Sequence, residues 1–131
     1  SPLINLPMAS IMRSKYRTYP EYHTSLDRLG DVVTADGLDG GFKALQYAIR
    51  VLENNNLFIS KYNGEPQMSK RGLYKGLSNM QGFKVNLYME VLTWCDGKND
   101  LIDIGDKINV PAWELIPIVN ELLDHDLIDI Y

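Results

Sequence analysis

The sequence predicts an α+β fold in two modules, and three observations point there. Its 131 residues are 45% apolar and 23% charged, the composition of a globular chain long enough for one ordinary domain or two small ones. Its charge is split: residues 1–82 carry ten Lys/Arg and seven Asp/Glu, net +3, whereas residues 83–131 carry three Lys and ten acids, net −7. Its hydrophobic pattern changes as well. A short unbroken apolar run and one helical stripe give way to three successive helical stripes closed by an alternating segment. Disordered and collagen-like classes are excluded by this composition. No apolar run reaches membrane-spanning length, and Ser1-Pro2-Leu3-Ile4-Asn5 has neither the basic region nor the apolar stretch of a signal peptide. The missing initiator Met suggests a piece of something longer. A single cysteine, Cys95, cannot close an internal disulfide and favours a reducing, cytoplasmic setting.

The first module spans residues 1–55. Leu3 to Ile11 (LINLPMASI) is a continuous apolar run, which suits a strand buried on both faces, irregular at Pro7. Met12 to Asp36 is polar, aromatic and rich in turn formers, and reads as a long loop. A helix then opens at Gly40-Gly41. Phe42, Leu45, Ile49 and Leu52 recur at helical spacing with Ala48 on the same face, and Asn54 to Asn56 end it. One strand and one helix lack a second strand to pair with, so this module docks elsewhere or belongs to a sheet carried by other residues.

Residues 56–82 read as a linker with a short strand at Leu57 to Tyr62, broken by Gly64-Glu65-Pro66. Ser69-Lys70-Arg71-Gly72-Leu73-Tyr74-Lys75-Gly76 interleaves basic and aromatic residues. Phosphate neutralisation with stacking by Tyr74 is one reading of it, and a solvated connector is the simpler one.

The third segment, residues 83–131, is the most regular. Tyr88, Val91, Leu92 and Cys95 mark a helix, with Asp96-Gly97-Lys98 as its stop. Asn99 or Asp100 caps a short helix burying Leu101, Ile104 and Ile108. Pro111 suits the first turn of a third helix burying Trp113, Ile116, Leu122 and Leu123, with Leu115, Ile118 and Val119 widening the face and Pro117 kinking it. Leu127 to Tyr131 alternates as a strand. Three helices with short connections followed by a strand outline a winged helix-turn-helix. Its third helix carries Glu114, Glu121, Asp124 and Asp126 nearby and no Lys or Arg, which opposes duplex DNA binding and favours a protein-interaction role.

Two histidines could carry chemistry. His125 lies at the acidic end of the third helix, where an imidazole commonly serves the helix dipole. His23 lies in Tyr19-Pro20-Glu21-Tyr22-His23-Thr24-Ser25-Leu26-Asp27, in the long loop, the place where open α/β folds gather ligands. No further donors stand beside it at metal-ligand spacing, and Ser25 has no nucleophile-elbow pattern around it.

Several stretches resemble a known family. Asn5-Leu6-Pro7, Met12-Arg13-Ser14-Lys15-Tyr16, the Tyr19–Asp27 segment, Gly64-Glu65-Pro66-Gln67, Lys70-Arg71-Gly72-Leu73-Tyr74, Cys95-Asp96-Gly97-Lys98-Asn99-Asp100 and Val110-Pro111-Ala112-Trp113-Glu114-Leu115 are similar, in order, to a bacterial aminopeptidase-like family with a C-terminal winged helix. That family is related to zinc aminopeptidases and glutamate carboxypeptidases, and its genes often lie among those for surface-polysaccharide synthesis. The resemblance implies that this chain is the C-terminal piece of an α/β zinc-peptidase-like domain followed by the winged helix. It implies zinc as cofactor, His23 as its last ligand, and the Tyr22 hydroxyl as a donor to the oxyanion of an amide or peptide-like substrate. The remaining ligands lie upstream in such enzymes and outside this sequence, so the chain alone is expected to be inert. Protein partners or self-association are expected; nucleic acid and membrane are not. The alternative is a winged-helix interaction module without catalysis.

Overall fold

The computed structural model describes residues 8–71, Leu73 and 81–131. It forms two compact units, Ser1–Ile49 and Arg50–Tyr131.

In the first unit, Met8–Met12 adopt no regular structure, and Met8 and Ile11 are 83% and 56% exposed. The strand expected over Leu3–Ile11 therefore does not form in its described part; residues 3–7 lie outside the described residues. An isolated strand leaves its peptide groups unpaired, and the strands described below pair among themselves. Successive turns carry the chain on. The N–H groups of Thr18, Tyr22, Thr24 and Asp27 donate to the carbonyls of Lys15, Tyr19, Glu21 and Thr24. Helix α1 runs over Ala35–Asn54. It begins five residues before the glycine pair because Thr34 caps it: the Thr34 hydroxyl accepts from the Gly37 N–H at 3.1 Å, and Asp36 sits in the first turn, where a carboxylate suits the dipole. Its expected apolar stripe is present but open, with Phe42 61%, Ile49 54% and Leu52 72% exposed.

The second unit contains strand β1 (Leu57–Ser60), a 3₁₀ turn (Met68–Arg71), helix α2 (Gln81–Trp94), strand β2 (Asp96–Asp100), helix α3 (Leu101–Ile108), helix α4 (Ala112–Asp124) and strand β3 (Ile128–Ile130). The strands form an antiparallel sheet in the order β2-β1-β3, with Leu57 opposite Asp100 and Phe58 opposite Ile130. The short strand of the basic half is thus the middle strand of the acidic half's sheet. Phe58, Val91, Leu101, Ile104, Leu115, Val119, Leu122, Leu127 and Ile128 are fully buried and form one core.

Local chemistry explains most boundaries. Asp100 and Asp103 make a reciprocal capping box at the start of α3, and Asn109 closes it in the left-handed conformation at φ 55°. Gly105 lets the α3–α4 turn approach closely. A Cβ there would stand 2.7 Å from the Val110 carbonyl oxygen. Asp96-Gly97-Lys98 does not simply stop α2. The helix ends at Trp94, and these residues enter β2 through an irregular register, with Gly97 at φ 76°. The Asp96 carboxylate accepts from the Lys98 and Asn99 N–H groups, and these bonds hold it below the ordinary carboxylate range.

Trp113 is not buried as expected; it is 40% exposed. At about 100° per residue, the stripe of Leu115, Val119 and Leu122 leaves Trp113 nearly opposite. Leu123 is half-buried, whereas Ile116 and Leu122 are buried as expected. Met68, just before the basic stretch, is buried, and within the stretch the Arg71 guanidinium donates to the His125 carbonyl at 2.8 Å and to the Tyr62 hydroxyl. Gly72 and residues 74–80 of that stretch lie outside the described residues.

Candidate functional site

The turn segment of the first unit gathers four aromatic side chains. Tyr16, Tyr19 and Tyr22 recur every third residue through consecutive turns, which brings their rings to one place. Tyr19 and Tyr22 meet edge to face with centroids 5.7 Å apart, Tyr16 and Tyr22 lie 6.3 Å apart, and the His23 imidazole stacks on Tyr22 at 4.2 Å. Such contacts add modestly to ordinary burial, about 0.5–1.5 kcal/mol each.

Hydrogen bonds fix the segment beneath. The Tyr19 hydroxyl donates to Asp27 Oδ2 at 3.2 Å. Burial, reinforced by this bond, holds the Tyr19 phenol above its ordinary pKa, so it remains a donor at neutral pH. The Thr24 hydroxyl donates to the Glu21 carbonyl at 2.7 Å and accepts from the Leu26 N–H at 3.2 Å. His23 itself sits at φ 60°, a left-handed conformation that is uncommon for a residue with a Cβ. Its side chain is exposed, and Tyr22 is half-buried beside it.

The two residues singled out in the sequence are therefore adjacent in space as well as in the chain. Tyr16, Tyr19 and Asp27 complete the arrangement; periodicity analysis aimed at helices and strands passes over them, although a tyrosine every third position in a turn-rich run was a visible signal. Among the described residues, no group of three or more His, Cys, Asp or Glu comes together to hold a metal. A zinc ion takes three or four protein donors, and His23 is the one imidazole of this segment.

The other candidate groups, Cys95 and His125, lie in the second unit. Cys95 is 3% exposed, and burial, with a smaller contribution from Asp96, pushes its thiol up to about 12. His125 caps α4, its N–H donating to the Glu121 carbonyl while its own carbonyl receives Arg71. On α4, Glu114, Asn120, Glu121 and Asp124 are exposed, and the helix carries no basic residue.

A three-stranded antiparallel sheet interleaved with three helices defines the second unit as a winged helix. Residues 56–130 match the winged helix-turn-helix family, and the chain belongs to it. Residues 1–55 match a second family, described as a domain of unknown function. The chain is 38% identical over 110 residues to a Clostridium acetobutylicum protein, provisionally described as a polysaccharide biosynthesis protein with an aminopeptidase-like domain. That match covers 82% of this chain and 25% of the relative. A crystal structure from the same organism, provisionally described as a peptidase, is similar with a TM-score of 0.63 and 26% identity, over 76% of this chain and 21% of that one. The chain thus spans about a quarter of the curated relative it matches. The aminopeptidase-like resemblance of the sequence and the α+β fold class agree with these findings.

Proposed function

We propose that this chain is the C-terminal portion of a zinc-dependent, aminopeptidase-like amide hydrolase of bacterial surface-polysaccharide metabolism. In this reading His23 supplies one imidazole to a metal site completed by residues of the longer protein. The Tyr22 hydroxyl beside it stands ready for charge that develops on an amide oxygen. The observation that carries the reading is the Tyr22–His23 pair itself: an exposed imidazole held in a left-handed turn and stacked on a tyrosine. A strained backbone under an exposed titratable side chain is a pattern of functional sites. The similarity to a protein described as having an aminopeptidase-like domain supports it.

The winged helix takes the role of a protein-interaction module in a cytoplasmic enzyme. Its third helix would repel a phosphate backbone, because its exposed face presents carboxylates and no cation. Among the described residues no helix is long and apolar enough to cross a membrane.

The test is hydrolysis of simple amide substrates by the longer polypeptide that carries this sequence. Activity should fall by at least a hundredfold in His23→Ala and remain in a His125→Ala control that folds. Full activity in His23→Ala would overturn the reading.

A further inference from the structure

The aromatic segment around His23 has properties that narrow the substrate. Its backbone gives a peptide no strand to pair with. The N–H groups of Thr18, Tyr22, Thr24, Leu26 and Asp27 all donate within the segment, and no strand edge among the described residues 8–34 is available for a peptide to join. Recognition falls instead to ring faces and hydroxyls. Tyr16 is 53% exposed, and its ring lies 6.3 Å from that of Tyr22 at a tilt of 35°. The Tyr19 hydroxyl is committed to Asp27, whereas no hydrogen bond among the described residues engages those of Tyr16 and Tyr22. Aromatic ring faces and phenol hydroxyls complement the C–H face and rim hydroxyls of a pyranose.

We propose that Tyr16 and Tyr22, beside His23, form a platform for the sugar ring of an N-acyl amino sugar, placing its amide next to the imidazole. This rests on the reading of the chain as part of an amide hydrolase and deepens it. It names the amide as one borne by a sugar instead of a peptide. The polysaccharide assignment of the relative and its aminopeptidase-like domain are then two aspects of one substrate.

The experiment uses the 131-residue chain and no metal. Ring-proton NMR shifts are followed on titration with di-N-acetylchitobiose and, separately, with alanyl-alanine amide. Saturable millimolar shifts of Tyr16, Tyr22 and His23 with the sugar, without comparable shifts from the dipeptide, are the expected result. Tyr16→Ala should weaken the sugar about tenfold, and Tyr16→Phe, which keeps the ring, should retain it. Unchanged amide shifts of α1 and of the Tyr19–Asp27 turns certify that the first unit of each variant is folded. Absence of sugar shifts, equal shifts with the dipeptide, or undiminished binding in Tyr16→Ala would each overturn the proposal. If the sugar fails here while amide hydrolysis by the longer polypeptide still depends on His23, the platform falls and the hydrolase reading stands.

Discussion

Replacing Gly105 by alanine tests how the second unit is assembled. The residue lies buried in α3, where the turn into α4 crosses it. On helix propensity alone the change would stabilise, by about 1 kcal/mol. The structure reverses the sign. The new Cβ would meet the Val110 carbonyl oxygen at 2.7 Å and the Ala112 nitrogen at 3.3 Å, both backbone atoms that cannot rotate aside. Overpacking of this kind costs about 1–3 kcal/mol. Moving the turn also strains the bond from the Val110 N–H to the Gly105 carbonyl, now 3.0 Å, which contributes roughly 1 kcal/mol more. The net loss should be about 1–3 kcal/mol. With a urea slope of about 1–3 kcal/mol/M, the unfolding midpoint should drop by roughly 1 M. Tryptophan fluorescence reads this unit directly, because Trp94 and Trp113 both lie in it. Gly41→Ala in α1, where the added methyl meets nothing within 4 Å, should leave that midpoint unmoved. A Gly105→Ala midpoint at or above the wild-type value would refute the close crossing of the α3–α4 turn.

Three further outcomes follow from particular contacts. Asp100→Ala removes the capping box of α3 and should cost about 1 kcal/mol by urea melting, and Asp100→Asn should recover part of it. The Cys95 thiol, pushed up to about 12, should react with a thiol reagent at pH 8 roughly a thousandfold more slowly than an exposed cysteine until the unit unfolds. Because the folded state holds that proton more tightly than the unfolded chain, its stabilising contribution is complete below the unfolded thiol's ordinary value of 9.0 and declines as pH rises from there toward 12. Fluorescence anisotropy with mixed-sequence duplex DNA at physiological salt should stay flat through the micromolar range, and saturable, salt-sensitive binding would contradict the acidic reading of α4.

The helices were legible because their signals are local. Val91, Leu92 and Cys95 bury as their spacing requires, with Tyr88 half-buried beside them, and Asp100 caps α3 by accepting from an N–H three residues on. One error depends on a partner distant in sequence, and two were local signals misread. Asp96–Asp100 (DGKND) has the composition of a turn and becomes a strand only because Leu57–Ser60 lies beside it. Trp113 was grouped with Ile116, Leu122 and Leu123 on the buried face, whereas the phase of the Leu115–Leu122 stripe turns it outward. The start of α1 was a missed local signal, since Thr34 and Asp36 outrank two glycines as helix openers. At the candidate site, His23 emerged from its place in the long loop and Tyr22 from a family resemblance, neither from periodicity. Their stacking, the left-handed turn beneath them and the Tyr19–Asp27 bond needed three-dimensional structure.

The most direct test of His23 as a metal ligand is elemental analysis of the longer polypeptide, purified without chelators, beside the 131-residue chain. We expect stoichiometric zinc in the longer polypeptide, lost or sharply reduced in His23→Ala and retained in His125→Ala, with no tight zinc on the 131-residue chain. Undiminished zinc in folded His23→Ala, or a tight zinc site on the 131-residue chain that survives that substitution, would contradict the assignment.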